Sequence, residues 1–313
     1  MAYYVLRRII NAFVILLLVS LIVFLLLELA PGDPAAMQLG HTATKEGVAQ
    51  LRAELGLDRP LHQRYLSFLV DTLKGNLGRS YANRRPVIAE IRYAFPATLE
   101  LSVVSLIIAI IIGVPLGITS AVHQNSLTDK VIRFSVILDI SIPIFWLGMM
   151  LILVFSVIFA LLPSYGRTEW YSIILPAVSM CGYPLGFIIR MTRSSMLEVL
   201  RNEYITAARA KGIPERLVIY KHALRNALIP VVTIVGLMFG TLMGGAVLTE
   251  TVFAWPGIGR LMVQAIFSRD YPIIRAGILL SSATFILINL VVDIAYTYIN
   301  PAVVIYKKDK TSS

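Results

Sequence analysis

Long apolar runs alternate with short basic stretches along this chain. A helix of about 20 apolar residues crosses a bilayer, and six runs approach or exceed that length. They extend from Ile9 to Leu29, Ala97 to Val122, Val131 to Leu162, Ile173 past Arg190, Ala227 to Leu248, and Ala276 to Ile299. The third is long enough to tilt or protrude. The first follows Arg7 and Arg8 and outruns the roughly 7–15 apolar residues of a cleaved signal, so it reads as a retained span.

Between the first two runs the pattern turns amphipathic. Val48, Leu51 and Leu55 fall at helical spacing before Gly56, and Leu61, Tyr65, Phe68 and Leu69 do so before Gly75. Pro86 suits the first turn of a further helix. About 65 residues can make a small helical cap but no large core of their own. The expected division is a tail and first span over 1–30, an extracytoplasmic helical segment over 31–96, a transmembrane core over 97–300 containing a loop at 193–227, and a tail over 301–313.

Charge sets the orientation. Arg7, Arg8, Lys130, Arg133, Arg193, Arg201, Arg209, Lys211, Arg216, Lys221, Lys307, Lys308 and Lys310 all fall on one side of this six-span arrangement. Short basic loops are retained in the cytoplasm, so both termini are expected there and 31–96 outside. The chain is 57% hydrophobic with mean hydropathy +0.77, above the roughly 45–50% apolar content of soluble domains. The net charge of +10 therefore reads as loop retention and contact with anionic membrane lipid rather than nucleic acid. Cys181 is the single cysteine, which rules out an intramolecular disulfide.

Catalytic signatures are absent. No G-x-x-x-x-G-K-[ST] loop occurs, and "GNLGRS" at 75–80 reads as a turn. His41, His62, His123 and His222 lack metal-ligand spacing, and neither G-x-S-x-G nor H-E-x-x-H is present. No catalytic residue, cofactor site or metal site is expected on this chain.

Charged residues inside spans default to functional hypotheses. Asp139 and Asp293 lie within spans, Glu28 and Glu100 near outer ends, and Arg190 near an inner end. A proton-coupled secondary transporter using Asp139 or Asp293 is one reading; interhelical or subunit contact is the other. Pro143, Gly182, Pro184 and Gly186 permit kinks and close approach, and Gly236, Gly240 and Gly244 repeat at four-residue spacing. Packing within the chain and a moving wall along a path both fit Pro143, Pro184, Gly186 and this glycine stripe.

The stretch "EYITAARAKG" at 203–212 stands apart from its apolar flanks. It predicts a short helix stopped by Gly212, with Pro214 opening a returning helix over Glu215–Leu228. At about 100° per residue, Glu203, Tyr204, Ala207, Ala208, Ala210 and Lys211 share a broad small-residue face. Asn202, Ile205, Thr206 and Arg209 share the other. Such a face suits seating in a partner's groove; a plain connector is the alternative.

This segment resembles the cytoplasmic loop of permease subunits of binding-protein-dependent ABC importers, whose pattern is E-A-A-x-x-x-G. Ala207, Ala208 and Gly212 match it, and Thr206 stands in place of the glutamate. "KHALRNALIPVVT" is similar to the dipeptide, oligopeptide, glutathione and nickel subfamily. So are "LAPGDPA", "LRAELGLDRPLHQRYLSFL", "FPATLELS", "RMTRSSMLEVL", "ETVFAWPGIGRL", "RDYPIIRAGILL" and "INLVVDIAYTYINPAV". The long segment after the first span resembles the first, B-type, permease of such systems.

The resemblance implies an all-α integral membrane protein of the bacterial inner membrane, with six spans. It implies partnership with a second homologous permease, an extracytoplasmic binding protein and two cytosolic ATPases carrying ATP and Mg. Glu203, Tyr204, Ala207, Ala208, Ala210, Lys211 and Gly212 would form the coupling helix. The chain would form half of the path without catalysing a reaction. Short peptides are the first expected cargo, with nickel, a metal chelate or glutathione as alternatives.

Overall fold

Apolar sequence in a bilayer must satisfy its backbone within each segment, which selects helices. The computed structural model describes residues 2–29, 33–39, 44–54 and 56–299. His41 and the expected tail at 301–313 lie outside the described residues. The first span is α1 (Ala2–Glu28). Three short helices follow, α2 (Pro34–Leu39), α3 (Lys45–Glu54) and α4 (Leu61–Leu73). α4 lies along the second half of α1: Ser20 Oγ and Tyr65 Oη are 2.8 Å apart, and Arg64 pairs with Glu28 at 2.6 Å.

The second span starts ten residues earlier than expected. α5 (Val87–Val122) is one helix, so the external helix expected after Pro86 and the span from Ala97 are the same element. The boundary expected at 96–97 falls inside it. Glu90 and Arg92 made the first turns look external, and Pro96 and Pro115 sit within the helix. Neighbouring helices make such prolines tolerable in membrane spans.

The third span is broken. α6 (Leu127–Ser141) and α7 (Ile144–Leu151) meet at 98°, and α7 continues as a widened π-helical stretch over Ile152–Ile158. The single tilted span expected over Val131–Leu162 is thereby corrected. The cause is Pro143, which disfavours α conformation in the residue before it; Ile142 is extended at φ −82°, ψ 123°.

A 3₁₀ turn at Trp170–Ile173 leads into α8 (Ile174–Val199). Then come α9 (Glu203–Ala210), α10 (Glu215–Leu217), a π-helical turn over Val218–Ala223 and α11 (Leu224–Gly245). The last three run as one span-length helix, Glu215–Gly245, so the expected returning helix and fifth span are continuous. Two further helices, α12 (Val247–Val252) and α13 (Ile258–Phe267), precede the final span α14 (Tyr271–Ile299). Five described helices are long and apolar enough to cross a membrane, or up to six if the bent pair is one span.

The core joins α5, α8 and α11 through Leu101, Met180, Ile188, Val231 and Met238, with Trp255 buried beside them. α5 and α8 approach closely because Gly113 and Gly117 carry no side chain. A Cβ at Gly117 would sit 2.6 Å from Thr192 Cβ and 2.9 Å from the Ile189 carbonyl oxygen. At one end of α5, Val87 and Ile91 pack with Ile258, Tyr271 and Ile273. At the other, Ile118 and Ala121 pack with Ile205, Ala208 and Val218. A helix rises about 1.5 Å per residue, so these clusters stand roughly 50 Å apart. We term them the cap end and the base.

Candidate functional site

The base is built around α9. Its termination follows from Gly212, whose φ of +72° suits a residue without Cβ. The Gly212 N–H donates to the Arg209 carbonyl at 2.9 Å and the Ile213 N–H to the Ala208 carbonyl at 3.4 Å. This is the paired closure of a Schellman turn. Ile213 then packs onto the same cluster as Ala208.

The faces of α9 differ from the sequence expectation. Ile205 and Ala208 are buried, at 0% and 8% exposure, among Ile118, Met196, Val218 and Ala223. Glu203, Tyr204, Thr206, Ala207, Ala210 and Lys211 are exposed. Ala208 therefore belongs to the inward side with Ile205, while Thr206 joins the outer side. Ile205 provides the large apolar anchor of this short helix, and Ala208, three residues on, turns inward beside it.

Two polar links steady the helix. Arg209 Nη2 and Nε donate to the Glu215 carboxylate at 2.6 and 3.1 Å. That carboxylate holds the Arg209 guanidinium above its ordinary pKa. Both groups are exposed, so the pair orients the loop more than it stabilises it. Asn226 Nδ2 donates to Tyr204 Oη at 2.7 Å, tying α9 to α11.

A second base contact escaped the sequence reading. Arg193 Nε and Nη2 donate to Asp129 Oδ1 and Oδ2 at 2.8 and 2.9 Å. Ser120 Oγ donates to the same carboxylate at 2.5 Å, and the Asn125 N–H at 3.0 Å. Asp129 is fully buried, so these donors replace its lost hydration. The clamp fastens α6 to α8 and to the end of α5. Its local signal was Ser126 three residues before Asp129, an N-cap pattern; Ser126 Oγ accepts from the Asp129 N–H.

The remaining candidates do not converge on one site. Pro143 is exposed at the bend of the third span. Pro184 and Gly186 are buried in α8, with Gly186 against Val136 and Ile140 of α6. Gly236 and Gly240 face Val292 and Phe285 of α14, while Gly244 has no described neighbour within 4 Å of a built Cβ. Two of the three stripe glycines thus serve packing within the chain. Asp139 is half-buried against Gly182. The side chain of Asp293 lies outside the described residues. Among the described residues, no group of three or more His, Cys, Asp or Glu is arranged to hold a metal.

Residues 113–305 match the family described as binding-protein-dependent transport system inner membrane component, and residues 1–102 match the description of its N-terminal part. The chain belongs to this family. The permease is 45% identical to the glutathione transport system permease protein GsiC of Salmonella choleraesuis (strain SC-B67), over 97% of its own length and 99% of that relative. It is 44% identical to the protein of that name from Escherichia coli (strain K12), with the same coverage. An inward-facing form of the MetNI methionine ABC transporter shares the fold, with a TM-score of 0.59 at 22% identity. That match covers 67% of this permease and 96% of the other chain.

The permease is accordingly a multi-pass subunit of a binding-protein-dependent ABC importer, within the peptide, glutathione and nickel subfamily. Its family is a transport component without enzymatic activity, and ATP hydrolysis belongs to partner subunits.

Proposed function

We propose that this permease forms half of a translocation path for short peptides, with glutathione inside that class. The observation that carries the cargo reading is 45% identity to a glutathione permease along 97% of the chain. A second homologous permease supplies the other half. Two cytosolic ATPases, binding ATP and Mg, dock beneath, and an extracytoplasmic binding protein delivers cargo to the cap end. The base faces the cytoplasm, as its cluster of Lys and Arg supports.

Coupling runs through α9. Its exposed side, Glu203, Thr206, Ala207, Ala210 and Lys211, suits a shallow groove on an ATPase because the two alanines let that surface approach the backbone. Tyr204 and Gly212 fix how the helix sits. Its buried side, Ile205 and Ala208, is packed against the base ends of α5, α8 and α11. A displacement of α9 therefore acts on three spans together. Pro143, Pro184 and Gly186 lie where the third and fourth spans adjust, and Gly244 is open to a neighbour.

The test is uptake by sealed vesicles containing the assembled transporter, its binding protein and internal ATP. Radiolabelled glutathione and di- or tripeptides should accumulate, continue to accumulate with an uncoupler present, and stop when ATP is withheld. Uptake that ignores ATP and collapses with the proton gradient would sink this reading. Accumulation of nickel alone would retain the importer and reject the cargo.

A further inference from the structure

The cap end contains a cavity of about 820 Å³, walled by the end of α1, the start of α14 and the segment around α4. Its charge is lopsided. Arg52, Arg59, Arg64, Arg79, Arg84 and Arg275 line it, against Glu28, Asp33 and Asp71. Arg64 is paired with Glu28, and Arg52 with Asp33 and Asp58. Among the described residues, Arg59, Arg79, Arg84 and Arg275 form no salt bridge.

Arg275 is the most constrained of these. Its guanidinium lies 5.2 Å from the Phe24 ring centroid and 4.7 Å from that of Phe68. Its Nε is buried without a hydrogen-bond partner. The two rings lie 6.1 Å apart, so both stand to one side of the guanidinium, and Arg275 lines the cavity. A guanidinium packed on rings in this way keeps N–H groups for a ligand. Those groups match the paired oxygens of a phosphate.

The surroundings specify where that phosphate comes from. Phe24, Leu27 and Ala276 put the cavity at the apolar-to-polar transition of two spans. On the flank of α1 that adjoins Phe24, Leu21 and Leu25 are exposed. A phosphate held at Arg275 can therefore carry acyl chains along that surface.

We propose that this cavity binds a phosphate oxyanion, supplied by the headgroup of an anionic phospholipid, with Arg275 as the central ligand and Arg79 and Arg84 at the rim. The uncompensated arginines favour a headgroup with net negative charge over a zwitterionic one. The volume falls in the range of roughly 300–1,000 Å³ usual for small-molecule sites.

Native mass spectrometry of the complete transporter in micelles doped with phosphatidylglycerol or phosphatidylcholine tests this. Phosphatidylglycerol should be retained preferentially, and Arg275→Gln should weaken its retention about tenfold, equivalent to roughly 1.4 kcal/mol. Retention unaffected by millimolar inorganic phosphate assigns the site to lipid. Displacement by inorganic phosphate, with Arg275-dependent thermal stabilisation by phosphate alone, supports the oxyanion site and makes solution phosphate its source. Should Arg275→Gln fail to assemble, the double variant Arg79→Gln, Arg84→Gln is read instead. Equal phosphatidylglycerol retention in the parent and the assembled variant, with no phosphate stabilisation, overturns the proposal.

Discussion

Glu250 has 0% exposure, yet its carboxylate is not isolated. One oxygen accepts from Thr98 Oγ1 at 2.6 Å and the other from the Arg260 N–H at 3.0 Å. Thr98 Oγ1 in turn accepts from the Ile258 N–H at 2.8 Å, and Trp255 Nε1 donates to the Ala97 carbonyl at 2.8 Å. These bonds fasten the 247–267 segment to α5. A built Cβ at Gly257 would fall 2.1 Å from the Glu250 carboxylate, so glycine is what lets the turn close around it. Thr98→Val preserves shape but removes the hydroxyl. It should cost about 1–3 kcal/mol, the usual penalty for leaving a buried polar group short of a partner. Thermal unfolding of the purified complex reads this, with Thr119→Val as control because Thr119 Oγ1 bonds only to the Pro115 carbonyl of its own helix. Equal midpoints for the two variants would show that Glu250 does not depend on Thr98.

At the scale of the element, α9 has two sides with different expected responses. Ala207→Trp adds bulk on the exposed side. It should leave the subunit's stability near that of the parent while reducing copurified ATPase or transport per ATP hydrolysed. Ala208→Trp adds bulk to the base cluster and should cost about 1–3 kcal/mol through overpacking. Midpoints of thermal unfolding, set against ATP-coupled uptake in vesicles, separate the two. Identical behaviour of both variants would remove the division of faces. The extent of α9 was legible because Gly212 and Pro214 are local stop signals. Its orientation was not, because at about 100° per residue Ala208 falls at the edge of the broad face, next to Ile205, and the angle alone does not say to which side it turns. The apolar anchor is completed by Ile213 beyond the turn and by residues of α5 and α8. Pro143 likewise marked a distortion in the third span, but both arms have similar apolar composition and neither encodes an angle of 98°. Asp129 and Arg193 are 64 residues apart, beyond the reach of any periodicity.

For the whole molecule, the cap end and the base sit at opposite ends of α5. Single cysteines at Ala49 and Asn202, each in a Cys181→Ser background, should therefore react from opposite sides of the membrane. With the proposed orientation, an impermeant thiol reagent added outside intact cells labels position 49 and spares 202. Labelling of 202 from outside would invert the topology and remove the coupling assignment. Five of the six expected spans were readable from hydropathy as single helices, since membrane helices leave a contiguous record. The α12 and α13 insertion was not, because helices of 6 and 10 residues are too short to leave a span-length signal.

The right-angle break in the third span has a mechanical consequence. A straight rod hands a push from one end to the other; an elbow converts it into a change of angle. Here the lower arm, α6, is bolted to α8 through Asp129 and Arg193. The upper arm, α7, rests by Gly148 on Val252 and Phe253, next to the buried Glu250 junction. Beside them α5 runs unbroken over 36 residues. The permease thus sets an unbroken helix alongside a joint at Ile142–Pro143, and a push on the lower arm would be taken up there as a change of angle.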